Sequence, residues 1–318
     1  MLAINIILLI VGFIILIKGA DFFVDGASSV ASNFKVSKML IGLTIVAFGT
    51  SAPEFAVSVK SLLSGSGDIV LGNVIGSNIL NILLILGASS MFHALNVKNN
   101  TVKKELPITM LITTLFAVLL SDHIFDNKLV NSFTRGDGIV LLLFFSVFLY
   151  YLISMSRKKI DVDQDEKPTM SLSKSFIWTI GGIVAIVLGS NAVVDSATYL
   201  AKAMGVSERL ISLTIIALGT SLPELVTSIT ATRKGEYDIA IGNVVGSNVF
   251  NIGVVIGLPV AILGGVGKVA FSYIDLLVMI VSAILLFIFS YGDYKISKKE
   301  GFFFLLLFVV YYTYVIIA

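Results

Sequence analysis

The 318-residue chain has no cysteine, which excludes disulfides and thiolate metal sites outright. Charge is scarce too. Asp, Glu, Lys and Arg make up 13% of the residues, where soluble domains average about a quarter. The only histidines, His93 and His123, lie at the ends of apolar runs with no partner pattern, so a histidine–metal set is not expected. No basic tract marks nucleic-acid binding, and the formal net charge of +2 says little by itself. The N-terminus has no basic region and cleavage site of a leader. Its apolar run continues to Lys18 and reads as a first membrane span.

What is present is apolar. Hydrophobic residues make up 57% and mean hydropathy is +1.00. About 20 apolar residues in a helix span a bilayer. The pattern predicts an all-α polytopic membrane protein with ten transmembrane helices, near 2–24, 38–63, 69–92, 105–121, 137–155, 175–200, 208–232, 238–263, 271–290 and 301–317. The one substantial charged connector, 156–173, is too short and polar to fold alone and reads as a linker. The expected organisation is a first five-helix repeat over 1–155, the linker, and a second repeat over 174–318.

An internal repeat carries that division. Shifted by 170 residues, 19–87 lies over 189–257 without a gap, and 31 of the 69 aligned positions are identical. The matches include polar residues, which shared apolar composition does not explain: Asp25 with Asp195, GTSAPE (49–54) with GTSLPE (219–224), and GNVIGSNILN (72–81) with GNVVGSNVFN (242–251). Five spans per repeat is an odd number, so the second copy enters the membrane from the opposite side. Inverted repeats of this kind are a hallmark of secondary transporters. Connections on one side hold 15 Lys and Arg and those on the other hold 6. The richer side is expected to be cytoplasmic, with both termini outside and the cell (plasma) membrane as the location.

GTSAPE places a helix breaker beside an acid inside an apolar run. Pro53 has no N–H, so the Gly49 carbonyl loses its helical partner. In hydrocarbon a freed carbonyl is tolerated where it lines a cavity or meets a ligand. Thr50 and Ser51 add hydroxyls and Glu54 adds a carboxylate, a cluster of the hard oxygens that Na⁺ and Ca²⁺ prefer. A kink with an idle glutamate is the plainer alternative. A charge at the bilayer centre costs at least ~2.5–3.5 kcal/mol, and the arrangement occurs twice. In the second motif the glycine spacing reads as helix packing. Ser77 and Asn81, like Ser247 and Asn251, are four apart and share a helix face.

Depth links the motifs. Glu54 lies ~16 Å before the turn at 65–68 and Asn81 ~18 Å after it, each about halfway through a ~30 Å core. Inversion carries the midplane onto itself, so Glu54, Glu224, the hydroxyls of Thr50, Ser51, Thr220 and Ser221, and Asn81 and Asn251 are expected to converge on one site with the kink carbonyls. Two adjacent carboxylates in low dielectric do not both stay ionised and empty. One Ca²⁺ cancels them, as do two Na⁺ or protons, which suits obligatory exchange. Asp25 and Asp195 are expected to cap or anchor their spans. Lys18 is expected to snorkel, and Trp178, Tyr150 and Tyr151 to anchor at the interface.

At these residues the sequence resembles the calcium/cation antiporter superfamily, specifically its sodium/calcium exchanger branch in its prokaryotic form. The paired motifs look like that branch's two alpha-repeats, and the likeness extends over nearly the whole chain. The resemblance implies alternating access, with the first and sixth helices sliding across the other eight. It implies Ca²⁺ and Na⁺ as transported ions, no cofactor, and no enzymatic activity. It also implies ion ligands at the Ala47 carbonyl, Thr50, Ser51, Glu54, Ser77 and Asn81, and at the Ala217 carbonyl, Thr220, Ser221, Glu224, Ser247 and Asn251. Both glutamates are then shared by the two ions. Asn251 departs from the potassium-dependent branch, which carries Asp there, and GTSxPE departs from the GNxxE-type motif of the proton-coupled branch. Coupling to H⁺ or K⁺ stays open as an alternative. A cation channel is a different class, with no filter-like repeat here to favour it. An intramembrane enzyme lacks a nucleophile or phosphate loop beside its acids. The oligomeric state is not legible in the sequence.

Overall fold

The computed structural model describes residues 2–125, 131–157, 168–206, 211, 214–215, 217–268 and 272–317. The protein is a multi-pass, mostly helical membrane protein. The helices are α1 (Leu2–Phe34), a bent pair α2 (Lys38–Thr50) and α3 (Ala52–Leu63), α4 (Gly67–Phe92), α5 (Leu106–Leu119), α6 (Arg135–Arg157), α7 (Leu172–Ala203), α8 (Ala217–Thr220), α9 (Leu222–Arg233), α10 (Tyr237–Leu263), α11 (Tyr273–Asp293) and α12 (Lys298–Ile317). Among the described residues seven of these are long and apolar enough to cross a membrane. The α2–α3 pair, bent by 46°, is an eighth candidate. Ten were expected from the sequence. Of the other two, α5 has 14 residues, and the expected span 208–232 falls partly outside the described residues. Most of the expected linker also lies outside them.

Two helices run well past their apolar stretches. The structure continues α1 to Phe34 and α7 to Ala203, so Asp25 and Asp195 sit inside helices and cap neither. Hydropathy marks where the oily stretch ends, not where the helix ends. Local side-chain bonds hold the polar extension of α1, Ser32 Oγ to the Ser28 carbonyl (3.2 Å) and Asn33 Nδ2 to the Ser29 carbonyl (2.8 Å).

α1 and α7 lie antiparallel with their backbones almost touching. Glycines recur every seven residues, at 12, 19 and 26 on α1 and at 182 and 189 on α7. Gly12 faces Val193, Gly19 faces Ala185 and Ile186, and Gly26 faces Thr179. A Cβ on Gly26 would fall 2.6 Å from the Thr179 amide nitrogen, and one on Gly182 equally close to that of Phe23. Small residues permit such approach between membrane helices. The outer face of α1 presents exposed Ile7, Ile10 and Ile14.

The same device joins α2 to α10. A Cβ on Gly242 would lie 2.9 Å from Gly42 Cα, and one on Gly246 2.8 Å from Leu43 Cα. This is the packing expected for Gly242 and Gly246; the matching Gly72 and Gly76 differ from the expectation, since among the described residues no atom lies within 4 Å of a Cβ added at either. Short antiparallel strand pairs tie the loops: Leu95–Asn96 to Lys295–Ile296, and Ser132–Phe133 to Gly267–Lys268.

Of the expected anchors, Tyr150 is exposed, and Trp178 packs edge-on against Phe22 (4.9 Å) beneath Lys174. Tyr151 is half-buried. Its hydroxyl donates to Glu105, a fully buried acid. Tyr311 likewise donates to Asp275 (3.0 Å). Each pair connects neighbouring elements, the π-helical turn Thr101–Glu105 that leads into α5 with α6, and α11 with α12. A buried acid needs such a partner.

Candidate ion site

The two breaks follow from the sequence. Ser51 leaves helical geometry (φ −84°, ψ 9°) and so does Ser221 (φ −88°, ψ 4°). A new helix starts one residue on, with Pro53 or Pro223 in its first turn, where a missing N–H is tolerated. The freed carbonyls fare differently from the expectation. Gly219's accepts the Ser190 hydroxyl (3.0 Å) from α7, whereas the equivalent position on α1 is Ala20. The Ala47 carbonyl accepts the Ser51 amide (3.0 Å) and the Thr50 hydroxyl (3.3 Å). Ala217 opens α8. Further along, α4 and α10 each change to a π-helical turn that begins at Asn81 or Asn251. Such turns inside α-helices are frequent at functional sites.

The predicted side chains gather from both halves. Thr50, Ser51, Glu54, Ser77, Asn81, Ser221, Glu224, Ser247 and Asn251 are all at most 4% exposed. The hydrogen bonds cross between halves. Ser51 Oγ donates to Glu224 Oε1 (2.8 Å) and lies 3.0 Å from Ser247 Oγ. Under the 170-residue shift, Ser221 Oγ reaches Glu54 Oε1 and Ser77 Oγ, both at 3.5 Å. Thr220 also interacts with the Glu54 carboxyl, and Thr50 with that of Glu224. Each carboxyl is thereby held by a serine from the break of the opposite half.

Asparagines outside the expected set brace this core. Asn73 Nδ2 donates to the Glu54 carbonyl (3.1 Å) and Ser58 Oγ (3.1 Å), and Asn243 Nδ2 to the Glu224 carbonyl (3.3 Å) and Ser228 Oγ (2.9 Å). Asn243 Oδ1 accepts from Thr50 (3.0 Å). The signal for these residues was available, because every one of these Asn and Ser positions is identical under the shift. These bonds also refine the depth count. The backbone of Glu54 faces Asn73, not Asn81. The carboxyl reaches onward because helix side chains lean toward the N-terminus, and it meets the Ser221 hydroxyl beside Ser77.

Among the described residues, four buried acceptor oxygens in this cluster have no hydrogen-bond partner: Glu54 Oε2, Glu224 Oε2, Asn81 Oδ1 and Asn251 Oδ1. They occupy equivalent positions in pairs. Buried polar atoms are paired in most proteins, and leaving one unpaired costs about 1–3 kcal/mol, more for a charged group. Four together are oxygens of the kind that hard cations prefer. No group of three or more His, Cys, Asp or Glu occurs among the described residues. The charge is therefore limited to two carboxylates, with hydroxyl and amide oxygens around them.

A cavity of about 340 Å³ approaches the site from one end. Ala52, Pro53, Ala56 and Val57 form one wall, Ser190, Asn191 and Asp195 another, and Gly219 and Thr220 its floor. The equivalent positions at the other end, Leu222 and Val226, pack against the α1 core.

A polytopic helical protein with a buried, two-carboxylate oxygen cage belongs to the class of membrane proteins that handle hard cations. The sequence comparisons narrow the class. The family model for sodium/calcium exchanger protein matches residues 4–154 and 174–317, and the chain belongs to that family. It is 38% identical over 315 residues to a putative antiporter, CaxA, from Alkalimonas amylolytica, covering 96% of each chain. It is 30% identical to the sodium/calcium exchanger MaX1 from Methanosarcina acetivorans, covering 95% of each. Among solved structures it resembles the sodium-calcium exchanger NCX_Mj soaked with 10 mM Na⁺ and zero Ca²⁺, with TM-score 0.85, 30% identity and 98% of each chain covered.

Proposed function

We propose that the protein is a secondary active antiporter that exchanges Ca²⁺ for Na⁺ across the cell membrane by alternating access, with Glu54 and Glu224 shared by the ions. The observation that carries the reading is the set of four unpartnered oxygens, Glu54 Oε2, Glu224 Oε2, Asn81 Oδ1 and Asn251 Oδ1, around a buried carboxylate pair. The family and the likeness to NCX_Mj support the same reading.

On this reading the ligands are the expected twelve: the Ala47 and Ala217 carbonyls, Thr50, Ser51, Glu54, Ser77, Asn81, Thr220, Ser221, Glu224, Ser247 and Asn251. The hydroxyls that donate to the carboxylates have lone pairs to offer a cation instead. Two bare carboxylates at mid-bilayer cost roughly twice the ~2.5–3.5 kcal/mol of one. That is a large part of the ~5–15 kcal/mol that holds a domain together. One Ca²⁺ or two Na⁺ remove this cost, and an ion-free site resists crossing. Exchange is therefore obligatory and no net leak of one ion is expected.

The reading includes ten spans in two inverted halves, 1–155 and 174–318, joined by a cytoplasmic linker at 156–173. The termini are outside. α1 and α7 form the mobile layer, and their side-chain-free stripe gives a smooth contact. The 340 Å³ cavity is the outward path.

The test is ⁴⁵Ca²⁺ uptake into proteoliposomes under Na⁺, K⁺ or H⁺ gradients, imposed one at a time. Uptake that follows the outward Na⁺ gradient alone is expected. Uptake that follows only K⁺ or H⁺ would replace the counter-ion, and uptake without any counter-ion would make the protein a channel.

A further inference from the structure

Asn78, Asn81, Asn248 and Asn251 are each 1% exposed and form one closed network at the heart of the molecule. Asn81 Nδ2 donates to Asn248 Oδ1 (2.9 Å), and Asn248 Nδ2 to the Asn78 backbone carbonyl (3.4 Å). The shifted set repeats this. Asn251 Nδ2 donates to Asn78 Oδ1 (3.2 Å), and Asn78 Nδ2 to the Asn248 backbone carbonyl (3.4 Å).

The chemistry leaves no freedom in this chain. A side-chain amide presents oxygen on one side and NH₂ on the other, and its neighbours decide which is where. A backbone carbonyl only accepts. The Asn78 carbonyl therefore requires the NH₂ of Asn248 to face it. The oxygen of Asn248 then faces Asn81 and requires the NH₂ of Asn81. The oxygen of Asn81 is left pointing away from the network, and it is one of the four unpartnered acceptors. The same steps run from the Asn248 carbonyl through Asn78 to Asn251 Oδ1.

Resting on the ion-exchange reading above, we propose that Asn78 and Asn248 are positioning residues. Each fixes the polarity of the ion-facing amide of the opposite half, so that Asn81 and Asn251 offer the cation oxygen and never NH₂. The halves are thereby coupled crosswise, Asn248 with Asn81 and Asn78 with Asn251. A flipped amide would direct partial positive charge at the ion, so the network favours occupancy by a cation without adding charge to the site. Groups that orient metal ligands typically matter by 10–100-fold in affinity.

The experiment is equilibrium ⁴⁵Ca²⁺ binding to the full-length protein in detergent, for wild type, single and double variants. Asn248→Ala is expected to weaken binding by roughly 10–100-fold. In an Asn81→Ala background, with no amide left to orient, Asn248→Ala should add less than about a further twofold. In an Asn251→Ala background it should multiply with the first loss. Asn81→Asp supplies a sign test. Its two oxygens need no orienting and one meets Asn248 Oδ1, so adding Asn248→Ala should restore affinity, whereas a merely structural Asn248 predicts further loss. Equal losses in all backgrounds, or further loss with Asn81→Asp, would overturn the inference while leaving the function intact. A wild-type protein that binds neither Ca²⁺ nor Na⁺ would overturn the functional reading itself.

Discussion

The two ends of the bundle, on either side of the carboxylate pair, start from equivalent sequence and finish differently. At the end near Asp25, Lys234 reaches from the end of α9 to the Asp25 carboxylate (2.7 Å), to that of Asp21 (3.5 Å) and to the Asp21 carbonyl (2.9 Å). Lys38 pairs with Glu236 (3.1 Å), which also accepts from Ser28 (2.8 Å). These contacts fasten α1 over Leu222 and Val226. At the end near Asp195, the shift places Ser64 where Lys234 stands, Ser66 for Glu236 and Asn191 for Asp21. There Asn191 and Asp195 line the open cavity. Between the two ends the serine–carboxylate and asparagine bonds of the two motifs recur under the shift. The repeat thus keeps its chemistry at the centre and lets the rims diverge.

The largest test addresses the matched centre. Glu54→Gln and Glu224→Gln should each reduce Na⁺-driven ⁴⁵Ca²⁺ uptake in vesicles by more than about 100-fold, because each removes a buried charge that a divalent ion needs. Tolerance of one substitution but not the other would break the equivalence.

A smaller effect is expected at the unlike ends. The absence of cysteine makes single-cysteine reporters free of background. Ala56→Cys, in the cavity wall, should react at least about tenfold faster with a membrane-impermeant maleimide than Val226→Cys at the packed equivalent. A tenfold rate ratio corresponds to ~1.4 kcal/mol of difference in access. Equal rates from opposite sides of the membrane would show both ends open.

The smallest effect concerns the ionic fastening. Lys234→Ser installs the residue that the other end carries at Ser64. Lys234 and Asp25 are partly exposed, and such pairs are worth about 0.2–1 kcal/mol. Labelling of Val226→Cys should therefore rise by roughly up to fivefold in the Lys234→Ser background, more at low salt than at high salt. No change at any ionic strength would mean that apolar packing alone keeps that end shut.

Much of the site was legible because its residues are expensive in hydrocarbon. Glu54 and Glu224 are conspicuous in apolar runs, and the shift of 170 residues joined them to Ser77, Asn81, Ser247 and Asn251. Asn78 and Asn248 were equally visible but had no assigned task. Their role lies in which neighbour takes oxygen and which takes NH₂, and spacing does not contain that. Glu105 and Asp275 also differ by 170 residues. They fall beyond the stretch of matched identity, so their tyrosine partners emerged only from packing.

The sequence by itself determined the class of the protein: polytopic, repeated, with an acid and a helix break at matching places in each half. Solvation decides those features residue by residue, and hydrocarbon leaves few alternatives. The tertiary structure alone decided which oxygens stay unpartnered, how the two halves exchange their hydrogen bonds, and which end opens. Those outcomes depend on contacts between residues 144 to 213 apart in the chain, and small differences at the rims are enough to tip them.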